Sequence, residues 1–245
     1  MYIVLGFILL FVFVISLAVR AEKRRREKLD NTLRMRGLVP RERLDDDLMK
    51  SICELHRIQE KGRGIKNIYE YARFGYKIYR FDIAGNHDRQ QYSVAYTLVN
   101  QYMKLPRFAI MPHPKLPGFL SKIWDAVFQK IVARIGLSEI RPMECPKFNE
   151  KYSLFADKGD QTIGQFPRTV WDQFAAIDDY LIVEAKSGVL MYQQMNLGKR
   201  GRRTRSSQDI EQELTINLML GEKLHDIFAD VSRWARAEAV VQAEG

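Results

Sequence analysis

The chain is poor in the residues on which most compact catalytic and metal sites depend. Its two cysteines, Cys53 and Cys145, lie far apart with no C-x-x-C or Cys/His ligand spacing. That excludes a disulfide framework and a structural zinc module, and leaves open only a single bridge between the two. Four histidines, His56, His87, His113 and His225, are few for a dinuclear phosphoesterase, which draws several His, Asp and Asn ligands from separate loops. No Gly-x-Ser-x-Gly elbow occurs, so a nucleophilic serine on a strand-to-helix turn is not indicated. The stretch "GRGIKN", 62–67, lacks the G-x-x-x-x-G-K-[ST] spacing that cradles phosphates.

One string imitates a metal site. Gly85-Asn86-His87-Asp88 matches the G-N-H-D block of calcineurin-like metallophosphatases, in which Asn holds a bridging metal. That pattern also needs an Asp-x-His and a Gly-Asp-x-x-Asp before the block and a Gly-His-x-His after it. None is present: the only Gly-Asp, Gly159-Asp160, lies downstream and is followed by "QTIG". Turn chemistry explains the string, since Gly and Asn tolerate the left-handed region and Asp bonds its own backbone. The paired acids Asp178 and Asp179 read as a solvated turn. No metal ligand, catalytic residue or cofactor is assigned, and the reading favours a protein that is not an enzyme.

Charge is missing altogether from one segment. "YIVLGFILLFVFVISLAV", residues 2–19, carries no Asp, Glu, Lys, Arg or His and approaches the ~20 apolar residues needed to cross a bilayer core. No basic region precedes it and no small-x-small site follows, so a transmembrane helix over 1–19 is expected rather than a cleaved signal. Directly after it, 20–28 holds six bases, Arg20, Lys23, Arg24, Arg25, Arg26 and Lys28, against two acids, a net +4. Such a flank keeps the following chain cytoplasmic, which predicts a single-pass protein of the bacterial inner (plasma) membrane with its bulk inside.

The remaining positive charge is equally local. The segment 196–205 holds Lys199, Arg200, Arg202, Arg203 and Arg205 and no acid, a net +5, so the two segments account for the whole formal +9. The rest of the chain balances to zero, which argues against a uniformly basic nucleic-acid surface. The loop reads as solvated, or as a contact for an acidic partner or anionic lipid; RNA ranks last because no RNA-binding aromatic pattern accompanies the charge.

Periodicity predicts the rest. A charged stalk and linker occupies 20–43, helical to about Met35 and stopped by Gly37 and Pro40. A helix is expected over 44–59, with Leu44, Leu48, Ile52 and Leu55 on one stripe and Asp45, Asp46 and Asp47 at its start. "YKIYRFDI", 76–83, and "QYSVAYTLV", 91–99, form a hairpin, and "RFAIM", 107–111, forms a strand placed at a sheet edge by its flanking prolines. An amphipathic helix over 117–136 carries Leu120, Ile123, Trp124, Val127, Phe128, Ile131 and Ile135 and is read as covering a sheet. "KYSLFA" reads as a strand, 169–176 as a short helix, "YLIVEAKSGVLMYQQ" as a hairpin turning at Ser187-Gly188, and 208–234 as the last helix. Mixed order without βαβ alternation predicts an α+β fold, a mainly antiparallel sheet with covering helices, over 44–206 with a C-terminal helix over 207–245.

The ordered residues Gly62, Arg63, Asn67, Gly75, Phe81, Asp82, Leu105, Pro106, Phe108, Pro146, Phe148, Tyr152, Glu184 and Gly188, with Val189 where Leu is usual, resemble a family of uncharacterised bacterial membrane proteins. That family has one N-terminal transmembrane helix and a cytoplasmic domain, and the resemblance covers 48–194. It implies a membrane-anchored domain and supplies no catalytic residue. The expectation is a cytoplasmic binding or assembly module held at the membrane, in contact with lipid through its anchor and with a protein partner or a second copy of itself. The alternatives are a metal-dependent hydrolase around His87 and Asp88, and an anionic-lipid or RNA binder acting through 199–205.

Overall fold

The computed structural model describes residues 2–55, 64–84, 92–113, 136–142, 145–160, 162–194 and 207–244. In chain order these form α1 (Tyr2–Met35), β1 (Val39–Arg41), α2 (Asp46–Leu55), β2 (Ile65–Arg73), β3 (Tyr76–Ala84), β4 (Tyr92–Val99), β5 (Phe108–Pro112), β6 (Leu137–Ile140), α3 (Pro146–Lys151) and β7 (Tyr152–Asp157). A 3-10 turn (Thr162–Gln165), α4 (Arg168–Ala175), β8 (Leu181–Lys186), β9 (Val189–Gln194) and α5 (Ser207–Glu244) complete them. The strands make one nine-stranded sheet in the order β1-β2-β3-β4-β9-β8-β5-β7-β6, and the neighbouring pairs are antiparallel. The α+β expectation with a mainly antiparallel sheet holds. The helix expected over 117–136 lies outside the described residues.

Both expected hairpins form. Phe81 faces Ala95 across β3 and β4, and Lys186 faces Val189 across the two-residue turn between β8 and β9. Ser187 (φ 48°) and Gly188 (φ 80°) both take the left-handed region, which matches the twist of the flanking strands. At Gly188 a Cβ would stand 2.5 Å from the Asn100 carbonyl oxygen, so only glycine fits there. The expected edge position of the 107–111 strand is corrected: β5 pairs with β7 on one side and β8 on the other. Its prolines bracket the strand instead of interrupting it. Pro106 precedes β5 and Pro112 ends it, so residues 108–111 keep their donors.

Alternation divides the side chains between two faces. Ile78, Leu98, Ile110, Leu154, Val183 and Tyr192 point to the face covered by α1, α3, α4 and α5, where they join Leu33, Leu38, Phe148, Trp171, Phe174, Leu224 and Phe228 in one core. Tyr79, Phe81, Ile83, Val189 and Met191 point to the other face, beneath Ile52 and Leu55 of α2. Leu33 and Leu38, from the segment read as stalk and linker, and Leu214 to Val231 of the last helix thus share a core with the sheet.

The end of α1 explains its entry into that core. Leu38 donates its amide to the Leu33 carbonyl at 3.0 Å and Gly37 donates to Arg34 at 2.9 Å, with Gly37 at φ 81°. This is a Schellman cap, and its accompanying apolar contact is the Leu33 and Leu38 pair. Among the described residues, no helix is long and apolar enough to cross a membrane. The span expected over 1–19 falls mostly on residues whose side chains lie outside the described set.

α5 approaches the sheet closely at Gly221. A Cβ there would lie 2.5 Å from the Tyr192 hydroxyl and 2.6 Å from Ile78 Cδ1, and that hydroxyl is fixed by donation to the Asn217 carbonyl at 2.8 Å. Helix propensity alone favours Gly221→Ala by about 1 kcal/mol. The clash reverses the sign, and we expect a net loss of about 1–2 kcal/mol, read as a lower urea midpoint of the full chain in detergent.

Candidate functional site

The basic stalk is displayed on α1. Arg20, Lys23, Arg24, Arg26 and Lys28 are exposed along it, whereas the side chain of Arg25 lies outside the described set. The apolar side chains before them, Phe11, Phe13, Val14, Ile15, Leu17 and Val19, are exposed as well. Among the described residues, contact with the domain begins at Leu29, which packs against the core, and Asp30, which bonds the Tyr69 side chain. Lys199, Arg200, Arg202, Arg203 and Arg205 lie outside the described residues, as do His87 and Asp88.

Two polar clusters inside the sheet escaped the sequence reading. On the α2 face, buried Glu70 of β2 accepts from Arg41 of β1 at 2.7 Å, from the Tyr79 hydroxyl at 3.0 Å and from Lys77 at 3.3 Å. Burial pushes the Glu70 carboxyl up, but the hydrogen bonds from Arg41 and Tyr79 and the adjacent Lys77 charge outweigh it, and its pKa is lowered. Burial, with the Glu70 charge second, pushes the Tyr79 phenol upward, so it stays a donor. The cluster therefore holds a full carboxylate among three donors and ties the edge strand β1 to the sheet.

On the opposite face, Arg80 and Asp82 of β3 are both buried and form an ion pair at 3.3 Å. Asn67 donates to the other Asp82 oxygen at 2.7 Å. Asn67 stands at φ 51°, where β2 shifts register between Lys66 and Tyr69. This is the geometry of a β-bulge, which turns a side chain out of its expected position. The Arg80 guanidinium lies 5.8 Å from the Tyr69 ring centre, and its Nη1 is buried without a hydrogen-bond partner. The signal for this pair was the placement of opposite charges two residues apart on one strand, which puts them on one face.

Two described histidines take part in separate networks. His225 of α5 stacks on Tyr76 with ring centres 4.1 Å apart, its Nε2 lies 3.1 Å from the Asn100 amide nitrogen and its Nδ1 3.2 Å from Asp226. Burial, then the Glu222 charge, pushes Tyr76 up to about 12. His113 Nε2 lies 2.6 Å from Ser153 Oγ, and Ser153 donates to Glu139 at 3.0 Å. Because the single Ser153 hydroxyl proton goes to Glu139, the His113 nitrogen stands on the donor side of its contact with Ser153. Among the described residues, no group of three or more His, Cys, Asp or Glu side chains is placed to hold a metal ion.

Residues that carried the family resemblance have structural uses here: Asn67 binds Asp82, Gly75 takes φ 88° in the turn before β3, and Phe81, Phe108, Phe148 and Tyr152 are buried. Compared with known proteins, the chain matches no family model, no curated protein and no solved structure.

Replacing Glu70 tests the first cluster. Glu70→Gln is expected to cost about 1–2 kcal/mol at neutral pH through its charge-assisted hydrogen bonds. Because the folded pKa is depressed, this contribution is present above the unfolded carboxylate value, about 4.3, and is lost as pH falls through the folded value. Denaturation midpoints of wild type and variant should therefore converge in acid. The bulge separates side chain from backbone: Asn67→Gly and Asn67→Ala both lose the Asp82 bond, but glycine takes the left-handed region without the strain alanine bears there, so Asn67→Ala should cost about 1 kcal/mol more than Asn67→Gly.

Proposed function

We propose that the protein is a single-pass membrane-anchored module whose α+β domain binds or assembles with a protein partner on the cytoplasmic side. The observation that carries this reading is α1 itself. One uninterrupted helix, Tyr2–Met35, begins in the uncharged run, passes through the basic segment and ends capped in the domain core. Its exposed apolar side chains, Phe11 to Val19, have no use in water, and bilayer burial accounts for them. The basic residues that follow fit a cytoplasmic boundary. The resemblance over 48–194 to bacterial proteins with one N-terminal span points the same way.

Binding is favoured over catalysis because, Arg80 Nη1 apart, the polar groups of these clusters are engaged by partners within the sheet. Glu70 is enclosed by donors, Asp82 is shared by Arg80 and Asn67, and Ser153 is turned toward a carboxylate. Acidic protein surfaces fit the cationic segment 199–205.

Two measurements test the reading in membranes. After alkaline carbonate extraction, the full chain should stay in the pellet; release into the supernatant would remove the anchor. Crosslinked affinity purification should then recover a stoichiometric protein with wild type and lose it when Lys199, Arg200, Arg202, Arg203 and Arg205 are all changed to Gln. Recovery of no protein by either form would remove the assembly role.

A further inference from the structure

We infer that the contact between α5 and the turn that follows β4 is a proton-operated latch, closed while His225 is neutral and opened when its imidazole takes up a proton. The inference is independent of the anchored reading and concerns how the domain is held together at the border where β4 ends and β9 begins.

The hydrogen bonds of Asn100 leave its side chain one orientation. Its amide oxygen accepts from the Tyr102 backbone N–H at 2.8 Å, so the NH2 end faces His225, with its nitrogen 3.1 Å from Nε2. An amide nitrogen only donates, and Nε2 must therefore accept and carry no proton. The single proton of the neutral ring then sits on Nδ1, where Asp226 Oδ1 lies 3.2 Å away to receive it. Turning the Asn100 amide over would aim its NH2 group at the Tyr102 N–H. Its main chain is fixed as well, by donation to the Gly188 carbonyl at 2.9 Å and acceptance from the Met103 amide at 3.0 Å.

A second ring proton would sit on Nε2 and face the Asn100 donors. Two opposed donors make no hydrogen bond, and water is largely kept from both, since Asn100 is 7% exposed and the His225 side chain 16%. The other neighbours of the ring tolerate the charge. Asp226 of α5 keeps its bond to Nδ1, although a carboxylate 82% exposed attracts weakly through water. Glu222, one turn earlier on α5, is engaged from β2 by the Tyr71 hydroxyl at 3.0 Å and by Arg73 at 3.5 Å, which offsets its charge. From β3, Tyr76 stacks on the imidazole with ring centres 4.1 Å apart, and a phenol face attracts a cation. The turn itself adds exposed Lys104, a charge of the same sign as the imidazolium. The protonated ring therefore stays with Tyr76 and Asp226, and the contact that gives way is the one to Asn100.

Asn100 ties the turn to two parts of the domain at once. On the sheet side, its carbonyl oxygen lies 2.5 Å from where a Cβ on Gly188 would stand, and the Leu105 carbonyl accepts from the Ser187 amide at 3.2 Å. On the helix side, the bond is the one to His225. Losing it leaves the turn bonded to the sheet but no longer to α5 through Asn100. Gln101 and Tyr102, both exposed, lie on the released segment, so the surface at this border changes with pH while the strand pairs stay intact.

The test is amide hydrogen exchange of the full chain in detergent at about pH 5.5 and about pH 7.5, either side of the usual histidine transition, with rates corrected for the intrinsic effect of pH. Tyr102 and Met103, whose amides bond Asn100, report the turn, and β8 with β9 serves as the internal reference. In the wild type, corrected exchange at those two amides should be several-fold faster at the lower pH, with the reference unchanged. His225→Gln, whose side-chain oxygen accepts from Asn100 at either pH, should abolish the difference. Asn100→Asp should reverse it, because the carboxylate keeps an acceptor for Tyr102 and turns another toward the imidazolium; this variant carries the test if His225→Gln does not fold. Equal protection of the wild type at both pH values overturns the latch, and so does a wild-type pH effect that survives in either variant. Loosening of β8 and β9 together with the turn would mean acid unfolding of the whole domain, which overturns a local device too.

Discussion

Leu33 and Leu38 meet across the last turn of α1, and this contact joins two parts of the chain that would otherwise be independent. The cap that brings them together satisfies the final carbonyls of the helix and turns the backbone through Gly37 into β1. Both side chains are fully buried in the same core as the sheet and α5. The edge strand β1 is therefore positioned by a helix end on one side and by Arg41 bonded to Glu70 on the other. Neither support would hold so short a strand alone. Its three residues are all exposed, and a strand of that length has little apolar area to contribute.

The charged residues inside the sheet follow from this arrangement. β2 and β3 are covered on one face by α1 and α5 and on the other by α2, so a charge on either face is withdrawn from water. Burying a lone carboxylate or guanidinium is costly, and each carboxylate here is met by a donor on a neighbouring strand, while the Arg80 guanidinium pairs with Asp82 on its own strand. Glu70 draws donors from β1 and β3, and Asp82 draws one from β2. These contacts specify pairing register, because a one-residue slip would move every partner to the opposite face. The unpartnered Arg80 Nη1 marks where this matching is incomplete.

Much of the fold was legible because its elements obey simple periods. The two hairpins announced themselves through alternation and through a Ser-Gly turn suited to positive φ, and α5 through the stripe from Leu220 to Val231. β2 was harder: in "IKNIYEYAR" the bulge at Asn67 shifts the alternation by one, so no single period runs through it. β6 and α3 are four and six residues long, too short for a window to distinguish them from loop. Prolines beside β5 suggested an edge, but their positions at its ends place no constraint on its neighbours. The basic run 20–28 was plain from charge alone, whereas the burial of Leu33 and Leu38 in the core was not. Glu70, Arg80 and Asp82 were not, since a charge on a strand reads as a solvent-facing position until the covering helices are known.

The continuity of α1 bears on how an anchored domain would find its partner. Between the uncharged run and Leu33 there is no glycine or proline, so nothing in the sequence provides a hinge. A Gly/Ser-rich linker of the same length would let the domain sweep a wide volume, whereas a helix of about 1.5 Å per residue holds it at one height. On the anchored reading, rotation of the span is passed directly to the sheet through Leu29 and Leu33. The domain would then meet partners in the plane of the membrane and in a restricted orientation. That restriction lowers the orientational cost of each encounter, which favours a weak, repeated contact between membrane-held proteins over capture of a freely diffusing one.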